Sequence, residues 1–428
     1  MQNSSPEKPL EVLVSAYACG PNRGSEIGMG WNWVTALARR CRLTVITEAE
    51  FDDERAPAIS KLDLLAEPVF HSIDIGEAAR SRCWNQGDWR FYSDYRVWQR
   101  RAHDLAKRLL TTQRFDLVHQ LNMIGYREPG YLWRLALPFV WGPVGGHVQM
   151  PVRFLPTLGL KGAAYHVLRN LANAAQMRMS PRVRKAARRA SVLIASTPDD
   201  ASAMARLHDI DTVVLNETGS DPGHPAPPTP KSVSTGDTLR IVWCGKFASR
   251  KALPLALRAL ARAEPTPMHL DIVGTGPGVG KLKALASELN IAGRCTWHGR
   301  VPHAEALRLI SENHCMLLSS LQEAATTVVM EALSCGIPVI CHDTCGFGEV
   351  VNSRCGLKVP LVSPTRSISG FAQALQRLAR EPDLLSKLSE GATDRAQEFA
   401  WDRKSARMES LYRQALSGQR APSGTTSA

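Results

Sequence analysis

Short apolar runs alternate with amphipathic stretches through the first half of the chain. The run LEVLVSA, from residue 10, ends in small and turn residues, and residues 25–40 then place Ile27, Trp31 and Val34 at helical spacing. Further apolar runs follow in LTVIT, FDLVHQL, PFVWGPVGG, SVLIAST and TVVLN, with helical or basic stretches between several of them. Strands that alternate with helices predict a parallel, doubly wound α/β sheet.

The same alternation restarts after residue 238. The apolar runs are LRIVWCG, HLDIVG, CTWHG, HCMLLSS and PVICH, separated by helical stretches such as residues 253–263 and 281–289. A second doubly wound domain is therefore predicted. Ligands bind beyond the carboxyl ends of the strands in such sheets, so we expect two facing domains with a cleft between them.

Length and one biased segment set the expected domain boundaries. The 428 residues exceed the size at which a single hydrophobic core keeps growing. Residues 217–237 are rich in Pro, Ser, Thr and Gly, as extended linkers are. We predict an N-terminal domain over residues 1–216 and a C-terminal domain over 238–395. A helix over 396–416 should pack back on the N-terminal domain, and 417–428 should be a disordered tail.

The formal charge of +12 is unevenly distributed. No Asp or Glu lies between Glu128 and Asp199, whereas ten Lys and Arg do. Apolar and basic residues alternate in this segment as they do in interfacial helices, so an anionic membrane surface is an expected partner. The alternative is an ordinary basic helix that covers the sheet. Nucleic acid is not expected, because no aromatic and basic recognition motif accompanies the segment.

The chain start and the cysteines bear on location and on metals. Residues 1–10 lack the basic patch and apolar stretch of a secretory signal, and residues 135–152, the longest uncharged stretch, contain three prolines and three glycines. We predict a cytoplasmic protein, with peripheral association at the inner face of the cell membrane as the extension that the basic segment allows. None of the ten cysteines forms a CxxC or a zinc-like array.

The strongest candidate site is the segment EAATTVVMEALSCGIPVI, in which Glu331 follows Glu323 by eight residues. It follows an apolar run and crosses the start of a predicted helix that ends near Cys335. A helix N-terminus offers free amides to a diphosphate, and carboxylates accept hydrogen bonds from sugar and ribose hydroxyls. Thr326 and Thr327 would add hydroxyl donors. Taken alone, such a pair is more often two surface glutamates on an amphipathic helix.

This segment resembles the C-terminal signature of the retaining family-four glycosyltransferases, which runs Glu, seven residues, Glu, Ala, a small-residue turn, Gly, Pro, Val and Ile. The matching positions are Glu323, Glu331, Ala332, Gly336, Pro338, Val339 and Ile340. The likeness continues through WCGKFASRKALPLALRAL, LDIVGTGPGVGKLKALASELNI, CTWHGRVPHAEALRLI and CGFGEVV, and covers nearly all of residues 239–360. The resemblance implies the GT-B fold, with the nucleotide sugar in the C-terminal domain and the acceptor in the N-terminal domain.

The resemblance also implies a cationic loop for the donor diphosphate. Family members use an Arg and a Lys there, which neutralise charge as a metal does in other transferases. Lys251 stands at the family Lys, whereas Lys246 replaces the Arg and Ala252 replaces the Gly after the Lys. A bidentate guanidinium contact then depends on Arg250. The alternative is a solvated basic helix start.

In the N-terminal half, the segment YACGPNRGSEIG resembles the glycine-bearing first loop of the same enzymes. The resemblance brings the backbone at Gly24 and Ser25 close to the donor or the acceptor. The alternative is a glycine that only serves a structural turn.

Two histidines end predicted strands of the N-terminal half. His119, in FDLVHQLN, stands at the first His of a family strand end, and the resemblance implies a catalytic contact, while Leu121 replaces the second His. Asn122 or His147 is expected to take over that missing sugar contact. The alternative for each histidine is a packing or capping role.

Together these features predict a retaining glycosyltransferase that moves a sugar from a UDP- or GDP-linked donor to a saccharide or polyprenyl-linked acceptor, in cell-surface or exopolysaccharide synthesis. In the roles that the resemblance implies, Glu331 binds the ribose hydroxyls, Glu323 lies near the sugar, and Lys251 and Lys246 bind the diphosphate. A nucleotide-sugar epimerase, a phosphorylase and a non-catalytic sugar- or nucleotide-binding protein of the same fold are the alternatives.

No metal cofactor is expected. Asp209 and Asp211 form the Asp-x-Asp arrangement that metal-dependent transferases use, but they lie far along the chain from the phosphate elements. A solvated turn is the better interpretation, because cationic side chains already supply the charge stabilisation that a metal would give.

Overall fold

The protein is described by a computed structural model, which describes residues 8–84, 88–221, 230–234, 236–324 and 327–418. The chain divides into two compact units. Unit 1 comprises Met1–His147, Gln176–Glu217 and Trp401–Ala428, and unit 2 comprises Val148–Ala175 and Thr218–Ala400. Each unit is therefore assembled from segments that are separated in the sequence. Thr326 and the centre of the predicted linker lie outside the described residues, as does most of the predicted tail.

Both units are built on parallel sheets. The strands are β1 (Glu11–Ala16), β2 (Arg42–Glu48), β3 (Val69–Ile73), β4 (Leu117–Asn122), β5 (Phe139–Val144), β6 (Val192–Ala195), β7 (Val213–Val214), β8 (Leu239–Cys244), β9 (Met268–Val273), β10 (Cys295–Gly299), β11 (Cys315–Leu318), β12 (Val339–His342) and β13 (Gly356–Val359). The seven-stranded sheet of unit 1 has the order β3-β2-β1-β4-β5-β6-β7, and the six-stranded sheet of unit 2 has the order β10-β9-β8-β11-β12-β13. The strand order reverses between β1 and β4 and between β8 and β11, where α/β sheets bind ligands.

Helices connect these strands. They are α1 (Ser25–Ala38), α2 (Asp52–Ile59), α3 (Glu77–Trp84), α4 (Phe91–Thr112), α5 (Gly159–Met179), α6 (Pro181–Arg189), α7 (Pro198–His208), α8 (Leu253–Arg262), α9 (Val279–Glu288), α10 (His303–Glu312), α11 (Thr327–Ser334), α12 (Cys345–Val350), α13 (Pro364–Arg380), α14 (Pro382–Glu398) and α15 (Trp401–Ser417). Within the described part of the chain, no helix is both long enough and apolar enough to cross a membrane.

The central strands are buried on both faces. In β1, Val12 and Val14 pack on one side with Trp33 of α1, while Leu13 packs on the other with Trp98 of α4. Alternate residues point to opposite faces of a strand, so a strand covered on both sides reads as one continuous apolar run. This is why the apolar runs of the sequence located most of the strands.

The last helix, α15, belongs to unit 1. Trp401 packs edge-on against Trp33 with ring centroids 5.3 Å apart, and Arg40 forms an ion pair of 2.8 Å with Asp402. The indole N–H of Trp33 also donates to the carbonyl of Glu217 at 2.8 Å. The C-terminal helix thus covers the same face of the sheet as α1.

The described end of the Pro-rich segment is packed rather than extended away from the protein. The backbone N–H of Lys231 donates to Ser389 Oγ at 2.8 Å, and Val233 is buried in the core of unit 2. At the other end of the segment, Ser220 is buried, and its N–H donates to the carbonyl of Phe399 at 3.0 Å. The composition of this segment predicted an extended backbone. It did not predict the contacts that Lys231, Val233 and Ser220 make.

Candidate active site

A cationic turn follows β8, the first strand at the switch point of unit 2. The chain leaves β8 at Cys244, forms a 3-10 turn over Ser249–Lys251 and passes through Ala252, whose φ of 48° lies in the left-handed region, before α8 begins. Glycine occupies that region most easily, which gives a physical reason for the family Gly at this position. The reversal turns the side chains of Arg250 and Lys251 toward the loop after β11.

The loop after β11 carries Glu323, and it is tied to the cationic turn. Ser319 Oγ donates to the carbonyl of Lys251 at 2.8 Å, and the N–H of Leu321 donates to the carbonyl of Arg250 at 2.7 Å. The indole of Trp243, in β8, donates to Ser319 Oγ at 3.0 Å. Neighbouring strands at the switch point therefore hold their following loops in register.

Arg250 and Lys251 converge on one carboxylate. Lys251 Nζ lies 2.9 Å from Glu323 Oε1, and the Arg250 guanidinium pairs with the same oxygen. Lys251 is 9% exposed, so an unpaired ammonium there would be costly. The structure thus brings together three of the predicted site residues in one partly buried cluster, which holds two positive charges and one negative charge.

Glu331 lies one turn into α11 and has a partner that the sequence interpretation missed. His303 Nε2, at the first residue of α10, lies 2.7 Å from Glu331 Oε1. The hydrogen bond to Glu331 raises the pKa of His303. Thr327 is the first described residue of α11 and is partly exposed. The sequence did contain a signal for His303, because this residue begins the helix that follows the apolar run CTWHG.

Lys246 lies apart from this cluster in the same loop. Its side chain is exposed, and the neighbouring Phe247 N–H donates to the carbonyl of Thr275 at 3.0 Å. Gly274 lies so close to Gly245 that an added Cβ would come 1.9 Å from the Gly245 carbonyl oxygen. Gly276 also lies close to Phe247, so Gly274 and Gly276 serve close packing between the loops after β8 and β9.

In unit 1, the switch point is held by Asn122. Its side-chain amide donates to the carbonyl of Ala18 at 2.7 Å and its Oδ1 accepts from the N–H of Ala18 at 3.2 Å. Asn122 is fully buried and fastens the loop that leads to α1. Gly24 and Ser25 lie in that loop, are exposed, and have open space around the Gly24 α-carbon. Their backbone is accessible at this sheet edge, whereas the Asn122 side chain is engaged.

His119 is packed inside unit 1. Its Nε2 donates to the carbonyl of Gly142 at 2.6 Å, so Nδ1 accepts from the Tyr412 hydroxyl at 2.7 Å. Burial lowers the pKa of His119 to about 4, which keeps the ring neutral. The structure therefore places both ring nitrogens in internal hydrogen bonds that link β4, β5 and α15.

His147 forms a buried pair with Asp200, a residue that the sequence interpretation did not single out. His147 Nδ1 donates to Asp200 Oδ1 at 2.9 Å, and its ring stacks on Tyr126 with centroids 4.4 Å apart. Asp200 also accepts from Thr197 Oγ1 at 2.7 Å at the start of α7. Thr197 and Asp200 are spaced as in a helix capping box, and this spacing is the sequence feature by which Asp200 could have been singled out.

Asp209 and Asp211 lie at the end of α7. Asp209 is the C-cap residue of that helix, in the left-handed conformation with φ of 54°. Asp and Asn adopt this conformation more readily than most residues, so a helix-ending turn accounts for Asp209.

The family that matches the chain has the description "Glycosyl transferases group 1", and the match spans residues 229–395. The match lies entirely within unit 2 and covers most of it. The group 1 domain contains the cationic turn, Glu323, Glu331 and His303, so the cluster at the switch point of unit 2 lies within the matched region. The family resemblance that the sequence motif carried is confirmed.

Known relatives agree with this assignment. Over 244 residues the chain is 30% identical to the D-inositol 3-phosphate glycosyltransferase of Frankia alni. The aligned residues make up 53% of this chain and 59% of that protein. Over 207 residues it is 28% identical to the lipopolysaccharide core biosynthesis glycosyltransferase LpsD of Rhizobium meliloti. That alignment makes up 47% of this chain and 57% of LpsD. The matches thus span little more than half the length of these relatives.

The fold similarity extends beyond the group 1 domain. The structure of Anabaena HepE, solved in complex with UDP and glucose, superposes with a TM-score of 0.58 at 14% identity. This likeness covers 94% of the present chain and 99% of HepE. Two Rossmann-like parallel-sheet units of the GT-B class, expected from the sequence, are thereby confirmed.

Proposed function

We propose that the protein is a retaining glycosyltransferase that moves a sugar from a UDP- or GDP-linked donor to a saccharide or lipid-linked saccharide in cell-surface polysaccharide synthesis. The observation that carries the proposal is the convergence of Arg250 and Lys251 on Glu323 at the switch point of the group 1 domain. The two relatives are both glycosyltransferases, which supports glycosyl transfer, and the UDP and glucose bound to HepE support a nucleotide-sugar donor.

The cationic pair suits the departing diphosphate. Negative charge develops on the leaving phosphate as the sugar bond breaks, and fixed cations in a partly buried site stabilise that charge more than water does. In the free protein, Glu323 balances Arg250 and Lys251 and keeps them in position. A bound diphosphate would offer these cations a second anionic partner, which would leave the Glu323 carboxylate available to the sugar hydroxyls.

Glu331 is suited to the nucleoside end of the donor. Its side chain is 18% exposed and pairs with His303, which is itself 56% exposed. A ribose diol can donate two hydrogen bonds to a carboxylate, and so it would compete directly with His303 for Glu331. The ribose site is therefore occupied by an internal side chain until the nucleotide arrives.

Retention of configuration needs no protein nucleophile in this proposal. The acceptor hydroxyl attacks from the face that the phosphate leaves, and the phosphate oxygen accepts the hydroxyl proton. The new sugar–oxygen bond forms as the sugar–phosphate bond breaks, and the products are the glycoside and the nucleoside diphosphate. Turnover is expected to be independent of metal ions, because Lys251 and Arg250 supply the positive charge.

The test is incubation of the full-length protein with UDP- and GDP-sugars and a panel of saccharide and polyprenyl-linked acceptors, in the presence of EDTA. We expect acceptor-dependent release of UDP or GDP, with proton NMR showing the donor's anomeric configuration in the product. Sugar isomerisation without nucleotide release would identify an epimerase. Tight nucleotide binding without any product would identify a binding protein. A product with the opposite anomeric configuration would overturn retention and leave the transferase assignment standing.

A further inference from the structure

The helix α5, of which residues 159–175 belong to unit 2, carries an apolar stripe on its outside. Leu160, Val167, Leu168 and Leu171 recur along α5 at the spacing of a single helical face. Leu160 is 92% exposed, Leu168 68% and Leu171 63%, and Val152 and Tyr165 nearby are also exposed. Isolated surface leucines are ordinary, whereas a contiguous stripe marks an interaction surface. We call Val152 and the exposed apolar residues of 160–171 the apolar stripe.

The inner side of the same helix carries polar side chains that are engaged with the protein. Asn170 Oδ1 accepts from the N–H of Met150 at 3.2 Å, and its amide donates to the Met150 carbonyl at 2.9 Å. His166 is 4% exposed and shares a hydrogen bond of 3.0 Å with Ser249 Oγ. His166 and Asn170 thus meet the protein together with the smaller Ala163, whereas the leucines of the helix face outward. Its attachment does not use the apolar stripe, which leaves that stripe available to a partner.

Positive charge accompanies the apolar stripe. Arg153, Lys161 and Arg169 are exposed beside it, and no acidic residue occurs between Glu128 and Asp199. Tyr165 lies on the flank between Lys161 and Arg169 in helical projection. A leucine-rich face with a tyrosine and basic residues at its edge is the composition of helices that lie in the headgroup region of anionic membranes.

We infer that α5 docks this protein on an anionic lipid bilayer, with the apolar stripe inserted at the headgroup boundary and Arg153, Lys161 and Arg169 against lipid phosphates. The charges favour lipid over a second copy of the chain. Two copies that met through this face would bring like charges together with no acidic residue in the segment to offset them. Lipid phosphate supplies the complementary charge, and acyl chains cover the leucines.

The docking surface adjoins the candidate active site within unit 2. His166 of α5 contacts Ser249, the first residue of the cationic turn, and Ala252 and Leu255 pack with Phe154 just before α5. If the proposed transferase function holds, a lipid-linked acceptor at the membrane would approach the turn that holds Lys251. The lipid contact itself does not depend on that function and is measured separately from turnover.

The experiment is flotation of the full-length protein with vesicles of phosphatidylcholine alone or of equal parts phosphatidylcholine and phosphatidylglycerol. A triple variant, Leu160→Ser, Leu168→Ser and Leu171→Ser, removes the apolar stripe at exposed positions and should fold normally. The matched control carries Leu65→Ser, Val97→Ser and Val362→Ser, which are exposed apolar residues elsewhere. A charge variant, Arg153→Gln, Lys161→Gln and Arg169→Gln, is paired with Arg258→Gln, Arg262→Gln and Lys281→Gln.

The expected result is binding to the anionic vesicles that falls about tenfold or more in the serine variant and is unchanged in its control. The charge variant should bind weakly, and so should the wild type in ~1 M salt, where the screening length falls to about 3 Å. Absence of wild-type binding at low salt would overturn the inference, and so would full binding by the serine variant. A dimer seen by light scattering and abolished by the serine substitutions would overturn it in favour of a second copy.

Discussion

Lys251 Nζ lies 2.9 Å from Glu323 Oε1, and the two residues come from loops that follow neighbouring strands at the switch point of the sheet. The same carboxylate oxygen also receives Arg250. This shared partner links the residue expected to stabilise the leaving diphosphate to the residue expected to contact the sugar. Each can be tested through its effect on the other.

Lys251→Ala is expected to lower kcat by about a hundredfold or more, because a preorganised cation at the developing phosphate charge is lost. The unfolding free energy should fall by only about 1–2 kcal/mol, since Glu323 keeps Arg250 as a partner. Nucleotide-release kinetics and thermal melts measure the two effects. Lys281→Ala, at an exposed lysine of α9, is the matched control and should leave both unchanged. Near wild-type turnover in Lys251→Ala would remove the diphosphate assignment.

Glu323→Gln should have opposite effects on nucleotide binding and on turnover. Removing the carboxylate charge leaves Arg250 and Lys251 without their internal partner, so affinity for UDP or GDP alone should rise about threefold to tenfold. The unfolding free energy should fall by about 1–3 kcal/mol, because two partly buried cations lose their partner. Turnover should fall, because the sugar loses a contact.

Glu331→Gln is the comparison variant for this prediction. It weakens the acceptor for the ribose hydroxyls, so nucleotide affinity should fall rather than rise. Isothermal titration with UDP and GDP measures both variants. A shift of nucleotide affinity in the same direction in both variants would contradict the separate roles assigned to the two glutamates.

Donor binding should strengthen as pH rises through the titration of His303. The Glu331 hydrogen bond raises the pKa of His303, so the ion pair is complete below the ordinary histidine value of about 6.5 and is lost as pH passes the raised value. Loss of the pair frees Glu331 for the ribose. The thiols of Cys244 and Cys335, which interact with Glu331, have pKa values of about 12 and about 11 and stay neutral in this window.

His303→Ala should therefore flatten the pH dependence of nucleotide affinity and hold the affinity near the high-pH value. The measurement is the Kd for UDP and GDP across the neutral range. His269→Ala is the control, because His269 shares its hydrogen bond with Thr296 rather than with a carboxylate. An unchanged pH profile in His303→Ala would show that the pair does not compete with the nucleotide.

His119→Ala separates a structural role from the catalytic role that the family resemblance implies. The ring is buried and both nitrogens are hydrogen-bonded, so we expect the unfolding free energy to fall by about 2–4 kcal/mol. Turnover per folded molecule should stay within about threefold of wild type. Tyr412→Phe removes one of the same hydrogen bonds and should lower stability by about 1 kcal/mol. A large loss of kcat in fully folded His119→Ala would restore the catalytic interpretation.

Local periodicity was enough to place most of the strands and the two-sheet α/β class. A strand such as β1 is buried on both faces, so its sequence is a continuous apolar run whatever its neighbours are. The weaker strands β3 and β13 were missed, because the polar residues His71 and Ser72 in β3 and Lys358 in β13 interrupt the apolar pattern. The signature around Glu323 and Glu331 was also readable, because it lies within one continuous segment.

Only the tertiary structure decided which side chains share a site. Arg250 reaches Glu323, 73 positions away, because β8 and β11 are neighbours in the sheet and Ala252 turns the chain back. His303 reaches Glu331 for the same kind of reason, because α10 and α11 pack together. Strand order is a property of the whole fold and leaves no local mark on the residues concerned. The spacing of the apolar residues in α5 likewise did not show that the apolar stripe faces outward, because amphipathic periodicity does not say which face of a helix meets the protein.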